Sequence, residues 1–373
     1  MSYPPPPGGP PPGNPGPPQG YSGPYGPPPQ QPPWQQQWPP GPPPKKRGNV
    51  WKWLLGGVAL LAVIGVTVAV TVSVTSDSGD GDDPAPSGQT FGLASADDKG
   101  PANIITEDPS CAAWGPINDT FIDIQRRGWN ARDPSIPAAD WTPDERQKYE
   151  EVGRAAAEAA GQTVAVAKVT PHRVMRELFA QFIAYARAYS DAVPTYEPTH
   201  EHLAGVFTNT ASTITWACYA ITYGSAEARA PLIAQPSQPS EVAPVTNPAS
   251  AERFLESTDP ICSRWYRLVD RVDSDTKQWQ DVDPALPASE WSSEQRAITE
   301  NAIPVMQRFA DDIEELGLES ENPLIQDLAT FVAQYRRAYA AALPTYTKAD
   351  SYLSSTSARA AAIVYQACKA AES

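Results

Sequence analysis

The sequence predicts an all-α ectodomain of two tandem, disulfide-stapled four-helix bundles, which follow one transmembrane helix and a disordered, proline-rich N-terminal tail. Three observations lead to this fold class. A stretch of about 110 residues occurs twice, each copy holds two cysteines at equivalent places, and one uninterrupted apolar segment precedes both copies. A repeated unit of this length points to two domains of one architecture.

The first 49 residues are predicted to be a disordered cytoplasmic tail. Residues 1–44 contain 21 of the 43 prolines and consist mostly of Pro, Gly, Gln, Tyr and Trp. Such a composition buries too little apolar surface to offset the entropy of ordering, and its proline runs favour polyproline II. The tail is interpreted as a docking strip for a polyproline-binding cytoplasmic partner, as a self-associating segment, or as a plain solvated tether.

Residues 50–74 are predicted to form the transmembrane helix. The core of this segment, WLLGGVALLAVIGVTVAVTVSV at 53–74, carries no charge. As a helix it extends about 33 Å, which is enough to cross a hydrocarbon core of about 30 Å. It is longer and begins later than the apolar region of a signal peptide. Basic residues precede it and an acidic run follows, so the prediction is a single-pass plasma-membrane protein with a cytoplasmic N-terminus and extracytoplasmic C-terminal domains.

The N-terminal sequence resembles that of a known class of protein. The segment PPPPGGPPPGNPGPPQGYSGPYGPPPQQPP at 4–33, followed by one apolar span, is similar to the start of actinobacterial, especially mycobacterial, single-pass envelope proteins. The resemblance covers about residues 1–75 and is one of composition. It implies a place in an actinobacterial plasma membrane, with the C-terminal part facing the cell wall, and nothing about chemistry.

Charge excludes one class of partner. Residues 1–75 contain four basic residues and no acidic one, so all 43 acidic residues of the chain lie after them. An acidic body lacks the basic groove that neutralises phosphates, and no nucleic-acid partner is expected. The acidity is typical of a soluble surface.

The repeat defines the predicted domains. The phrase YARAYSDAVPTY at 185–196 returns as YRRAYAAALPTY at 335–346, an offset of 150. An acidic extracytoplasmic spacer is predicted over 75–107, the first helical domain over 108–223, and the second over 258–373. Residues 224–257 between them are rich in Ala, Pro and Ser and are predicted to be a linker.

Each copy is predicted to contain four helices. The second helix of copy one begins with a capping box from Thr142 to Glu145, and that of copy two with Ser292 and Gln295. The third helix has apolar residues at helical spacing and ends at the proline of the repeated phrase. Pro304 lies within the second helix of copy two and is expected to kink or split it.

The cysteines test the topology of the bundles. In an up-down-up-down bundle the start of the first helix and the end of the fourth lie at the same end. Those are the places of Cys111 and Cys218 in copy one and of Cys262 and Cys368 in copy two. Four cysteines allow three pairings, and duplication favours one bridge inside each copy, in an oxidising compartment. Free buried thiols are the alternative, whereas a metal site lacks the close Cys or His pairs it needs.

The repeated phrase also supplies candidate binding residues. Aromatic rings at helical spacing either fill the core or form a face for glycan or lipid. The arginines of the phrase either stack on tyrosines or bind an anion. The residues of this possible binding face are Tyr185, Arg187, Tyr189, Tyr335, Arg337 and Tyr339.

No motif for catalysis, metal binding or nucleotide binding is present, and no cofactor is expected. His200 and His202 flank one residue in a stretch expected to open a helix, where residues two apart diverge. The leading hypothesis is a non-enzymatic cell-envelope interaction or scaffold protein that meets an unknown protein or cell-wall partner. The alternatives are an extracytoplasmic ligand or lipid carrier or sensor, and a cell-wall-acting enzyme.

Overall fold

The computed structural model describes residues 90–372, and all regular structure in that part of the chain is helical. The α-helices are α1 (Ser110–Gln125), α2 (Pro143–Val166), α3 (Arg173–Ala192), α4 (Glu201–Thr222), α5 (Ser225–Arg229), α6 (Cys262–Asp275), α7 (Lys277–Gln280), α8 (Ser293–Leu318), α9 (Pro323–Ala342) and α10 (Ser351–Ala371). Short 3-10 turns connect them at Trp129–Ala131, Ala138–Asp140, Val193–Thr195, Pro198–His200, Ala230–Leu232, Pro248–Ser250, Ala288–Glu290, Leu343–Thr345 and Lys348–Asp350.

Each copy of the repeat is a bundle of four long helices, α1–α4 in the first and α6, α8, α9 and α10 in the second. Successive long helices pack side by side, and the first also contacts the fourth. The predicted all-α class is therefore confirmed for residues 90–372. Two disulfides join the first and fourth helices, Cys111 to Cys218 and Cys262 to Cys368, with Cα–Cα distances of 5.4 and 5.6 Å.

The second helix of each bundle begins where its capping residues predict. The Thr142 hydroxyl accepts from the Glu145 backbone N–H, and the Glu145 carboxylate accepts from the Thr142 N–H. Ser292 and Gln295 make the same reciprocal pair at the start of α8. Each box satisfies two backbone donors that the helix itself leaves unpaired, which fixes the first residue of the helix.

The expectation that Pro304 splits its helix is wrong. Helix α8 runs without a break from Ser293 to Leu318 and contains Pro304. Proline removes one backbone donor from the helix interior. The helix survives because its apolar face, including Met306, Phe309 and Ile313, is buried against the rest of the bundle. Packing of an amphipathic face outweighs local propensity in most protein helices.

The last tyrosine of the repeated phrase fastens a loop to each bundle. The backbone carbonyl of Tyr196 accepts from Ala138 N–H at 2.8 Å, and its hydroxyl donates to the Pro134 carbonyl at 3.0 Å. In copy two the hydroxyl of Tyr346 donates to the Pro284 carbonyl at 2.7 Å. The loop between the first and second helices is thus held in the same way in both copies.

The two bundles pack against each other through their fourth helices, α4 and α10. The flanking segments join them further. Arg229, in the stretch predicted to be a linker, forms an ion pair with Asp350 of copy two and donates to Thr345. Residues 93–105, predicted to belong to a spacer, contribute buried Leu93 and Ile104 to the core. Both segments therefore belong to one compact unit that includes both copies.

Two helical glycines provide a matched test of this packing. A methyl group added at Gly317 of α8 would overlap Cβ of Ala329 on α9, whereas nothing lies within 4 Å of one added at Gly161 of α2. We expect Gly317→Ala to lower the free energy of unfolding by about 1–3 kcal/mol through overpacking. Gly161→Ala is expected to raise it by about 0.5–1 kcal/mol, because alanine is the better helix former.

Denaturant unfolding of both variants beside the wild type measures these changes. Effects of the same sign and size at the two positions would contradict the close approach of α8 to α9.

The predicted location must be corrected. Within residues 90–372 no helix is long and apolar enough to cross a membrane. The long helices there are amphipathic, and α2, for example, carries charged residues over most of its first half. This finding contradicts the expected single-pass plasma-membrane protein with extracytoplasmic C-terminal domains. The predicted tail, 1–49, and the predicted transmembrane helix, 50–74, lie outside the described residues.

Candidate binding surface

The tyrosines predicted to form a binding face are in the core. Tyr185, Tyr189 and Tyr335 are fully buried, and Tyr339 is 4% exposed. Burial raises the pKa of Tyr189 and of Tyr339. These rings therefore form no exposed face, and the helical spacing that suggested one is the spacing of core residues.

The first tyrosine of each repeated phrase holds the other copy's leading segment. The hydroxyl of Tyr185 in copy one donates to the carbonyl of Leu255, just before copy two, at 3.3 Å. The hydroxyl of Tyr335 in copy two accepts from the N–H of Ile105, just before copy one, at 3.2 Å. Each copy thus forms a hydrogen bond to the segment that precedes the other copy, and these two bonds join the copies.

The second tyrosine of each phrase stays within its own bundle. The hydroxyl of Tyr189 accepts from the indole N–H of Trp129 at 3.0 Å, and the rings of Tyr339 and Trp279 meet edge to face. The three tyrosines of the phrase thus lie in three different places, which is why they cannot act as one surface.

The two arginines of the phrase are half-buried and have different partners. Arg187 donates to the backbone carbonyl of Ala249 at 2.7 Å. Arg337 forms ion pairs with Asp311 and Glu314 of α8, at 2.7 and 2.6 Å. Since both guanidinium groups already have acceptors of different kinds, the structure does not bring them together as a shared anion site.

Four aromatic side chains form a cluster at the junction of the two copies. Trp216 and Tyr219 of α4 and Tyr223 just after it meet Tyr352 of α10, and we call these four residues the aromatic surface. Tyr352 lies between Trp216 and Tyr223 with interplanar angles of 18° and 27°, at centroid distances of 5.8 and 5.1 Å. Tyr219 meets all three rings at steeper angles. Tyr223 is 53% exposed and the others are half-buried.

The polar atoms of the aromatic surface have no hydrogen-bonding partner within residues 90–372. Most other tryptophans of this part donate their indole N–H to a protein acceptor, as Trp114, Trp129, Trp141, Trp265 and Trp291 do. Trp216 does not, and neither do the hydroxyls of Tyr219, Tyr223 and Tyr352. None of these atoms is among the buried polar atoms without a partner in residues 90–372, so each reaches solvent and is open to a ligand.

The internal duplication provides a comparison for this cluster. Helices α4 and α10 are equivalent and antiparallel, and their midpoints are marked by Arg359, which donates to the equivalent residue Asn209 at 3.3 Å. At the offset of 150, Trp216 of copy one is equivalent to Gln366 of copy two, and Tyr352 of copy two is equivalent to His202 of copy one. The contact between Trp216 and Tyr352 therefore corresponds to a contact between Gln366 and His202. Those two residues share a hydrogen bond of 2.8 Å. The helices therefore pack through a polar pair at one end and through the aromatic cluster at the other, so the shared fold does not require aromatic residues at this contact.

Acidic groups lie beside the aromatic surface. Burial raises the pKa of Tyr219, and the nearby Asp119 carboxyl of α1 raises it further. Burial also raises the pKa of Tyr352, with Tyr223 and Tyr219 adding to the effect. Both hydroxyls are accordingly protonated at neutral pH and available as donors, next to a negatively charged helix that also carries exposed Asp123.

A second polar feature is a buried charge network between the copies. Arg173 of α3 forms ion pairs with Glu177, at 3.3 Å, and with Asp327 of α9. Its guanidinium also donates to the Gly100 carbonyl at 2.8 Å. Glu177 and Asp327 are equivalent positions of the two copies, so Arg173 neutralises two carboxylates that the duplication brings together. Burial raises the pKa of Glu177 to about 7, opposed by Arg173 and Arg176.

The histidine pair has structural partners. His200 ends a 3-10 turn and its Nδ1 accepts from the Glu197 N–H at 3.0 Å, while His202 lies on α4 against Gln366. Over residues 90–372 no group of three or more potential ligands is arranged to hold a metal ion.

Sequence reasoning missed both features. The aromatic surface had a signal, since Trp216, Tyr219 and Tyr223 are spaced by three and four residues along one helix, which is one face. Their equivalents at 366 and 369 are Gln and Lys, so the difference between copies marks residues that the shared fold does not require. The charge network gave no such signal, because its members come from two copies and from residues 90–107.

Over residues 90–372 these features define an internally duplicated, all-helical protein with a half-exposed aromatic surface. The chain belongs to the family of mycobacterial ESX-1 associated proteins, whose model matches residues 93–372. It is also 48% identical over 334 residues to an uncharacterised protein of Mycolicibacterium smegmatis, with 88% of each chain covered. No solved structure matches. The resemblance to mycobacterial proteins of unknown function is thereby confirmed.

Proposed function

We propose that this chain is a non-enzymatic, protein-binding component associated with the ESX-1 secretion system, and that the aromatic surface is where it meets its partner. Membership of the ESX-1 associated family supports the system. The observation that carries the site is the cluster of Trp216, Tyr219, Tyr223 and Tyr352 with its unused donors. Tyrosine and tryptophan dominate the energetics of protein interfaces, because they combine a large apolar area with a polar atom.

The packing of both bundles favours this function over a carrier. A carrier needs a cavity between helices. In residues 90–372 the spaces between the long helices hold large side chains with almost no exposure, among them Trp114, Phe182 and Phe331. The aromatic surface, by contrast, is open to a partner without rearrangement of the core.

An export assay tests the proposed function. In a mycobacterial strain that lacks this chain, the wild type is expected to restore export of ESX-1 substrates to the culture medium. The double variant Tyr223→Ala, Tyr352→Ala is expected to restore it about five-fold less well, because truncating two central aromatic residues weakens an interface substantially. Quantitative mass spectrometry of culture filtrate and of cells gives export and the abundance of each variant.

The matched control is Leu318→Ala, which removes another exposed apolar side chain, 57% exposed at the end of α8 and outside the aromatic surface. It should restore export fully. Full export with the double variant at wild-type abundance would remove the aromatic surface from the function.

A further inference from the structure

The distance between Trp216 and Tyr223 along α4 indicates the repeat that a ligand needs in order to contact both rings. Trp216 and Tyr223 lie seven residues apart, close to two helical turns, so they present the same face about 10 Å apart along the helix. Polyproline II has three residues per turn and rises about 3.1 Å per residue, so its side chains return to one face every 9 Å or so. The ring of Tyr352 lies between Trp216 and Tyr223. A proline-rich segment lying along the end of α4 therefore crosses a stack of three rings, with one residue at Trp216 and the residue three positions on at Tyr223.

The hydrogen-bonding character of the site selects the same ligand. The aromatic surface offers an indole N–H and three hydroxyls, none with an acceptor inside the described protein. A polyproline II helix has no internal hydrogen bonds, and its prolines have no N–H, so its backbone presents carbonyl acceptors alone. Aromatic-lined grooves that bind such segments use this complementarity, and the preformed ligand loses little entropy.

The acidic groups beside the aromatic surface add a requirement for the charge of the ligand. Asp119 lies close enough to Tyr219 to raise the pKa of its hydroxyl, and exposed Asp123 follows one turn later on α1, where it forms an ion pair with Arg126 at 3.5 Å. A ligand with basic residues beside its prolines complements Asp119, whereas an acidic ligand is repelled. Such charges act chiefly on the choice of partner and on the rate of association.

We infer that the aromatic surface binds a proline-rich segment of a partner protein, in polyproline II conformation and flanked by basic residues. This inference rests on the proposed function, since it names the class of partner. Residues 39–47 of the chain, PPGPPPKKR, have the same chemistry and contain no tryptophan. A fluorescein-labelled peptide of that sequence is therefore a suitable probe, and the chain itself is a second source of the ligand that the experiment must separate.

Fluorescence anisotropy of the labelled peptide with the full chain tests the inference. We expect saturable binding in the micromolar range, typical of small and transient interfaces. Tyr223→Ala and Tyr352→Ala should each weaken binding about ten-fold, as central aromatic residues do. Tyr219→Phe keeps the ring and removes the donor, so it should weaken binding about three-fold. Leu318→Ala should have no effect, and circular dichroism confirms that each variant is folded.

Two control peptides separate the contribution of the prolines to binding from that of the basic residues. GSGSGSKKR keeps the charge and should bind at least about ten-fold more weakly, and PPGPPPEEE keeps the prolines and should also bind more weakly. Equal binding of GSGSGSKKR, or unchanged binding to Tyr223→Ala and Tyr219→Phe, would overturn the inference. So would binding of chitotetraose in place of the peptide, which would assign the surface to a saccharide.

One further variant separates the partner from the chain's own segment. In it the five prolines of residues 39–44 are replaced by glycine. If this variant binds the probe about ten-fold more tightly than the wild type, the chain's own prolines occupy the surface and the inference of a partner is overturned. Equal binding of the probe to this variant and to the wild type supports a partner protein as the source of the ligand.

The export assay keeps the two proposals distinct. Lost export with Tyr223→Ala, Tyr352→Ala but no peptide binding means that the function stands and the ligand class is wrong. Peptide binding with unaffected export means that the ligand class is right and that the proposed function is wrong.

Discussion

Replacing Cys111 and Cys218 together by alanine is expected to lower the free energy of unfolding by about 4–5 kcal/mol. The bridge closes a loop with a sequence separation of 107 residues, and the chain-entropy model assigns that amount to a loop of this length. Cys262 and Cys368 close a loop of almost the same length, with a separation of 106. The second pair of substitutions should therefore cost a similar amount. Guanidinium unfolding without reductant measures both.

The loss of stability on removing the Cys111–Cys218 bridge should be uneven within the first bundle. Helix α4 also packs on α10, whereas the start of α1 is joined to α4 by the bridge and by the hydrogen bond from the Trp114 indole to the Thr215 hydroxyl. We therefore expect amide exchange in α1 to accelerate much more than exchange in α4, because local opening follows the local number of contacts. Helix α6 of the intact copy serves as the control. A change below about 1 kcal/mol, or equal acceleration in α1 and α6, would show that the bridge does not set the stability of its bundle.

Much of each bundle was predictable from the sequence because its determinants are local or duplicated. The capping residues Thr142 and Ser292 fix where the second helices begin, and the cysteines at equivalent places indicate which helix ends meet. The split expected at Pro304 does not occur, because packing holds that helix together against a local rule about proline. The same rule succeeds at the repeated phrase, where α3 and α9 end just before it reaches proline.

The contacts between copies were not predictable in this way. Helical spacing shows that Tyr185 faces the inside, yet it cannot show that its hydroxyl reaches Leu255 rather than its own bundle. In the same way, nothing local links Trp216 to Tyr352, which lies 136 residues further along the chain. Both require the relative orientation of two bundles, and that orientation depends on the packing of α4 against α10. The candidate site lies at this junction, which explains why the sequence alone indicated the wrong tyrosines.

Replacing Arg173 by methionine is expected to lower the free energy of unfolding by about 3–5 kcal/mol at pH 8. Methionine keeps most of the volume but leaves Glu177 and Asp327 buried without the cation that joins them, and it leaves the Gly100 carbonyl without its donor. Breaking a buried ion pair costs more than the pair contributes, because the remaining charge stays out of water. The matched control is Arg126→Met, whose exposed ion pair with Asp123 should be worth less than about 1 kcal/mol.

The dependence on pH separates this explanation from a simple loss of packing. Burial already holds the pKa of Glu177 at about 7 in the wild type, above its ordinary value of 4.5. A carboxyl whose pKa is raised by folding contributes stability at low pH and loses it as pH rises through the folded value. Without Arg173 that pKa rises further, so the penalty of Arg173→Met should shrink markedly between pH 8 and pH 5, as Glu177 takes up a proton. Urea unfolding at the two pH values measures the change, and Glu177→Gln in the Arg173→Met background should recover part of the loss at pH 8. A penalty equal at pH 5 and pH 8 would mean that the side chain of Arg173 acts through its volume and not through its charge.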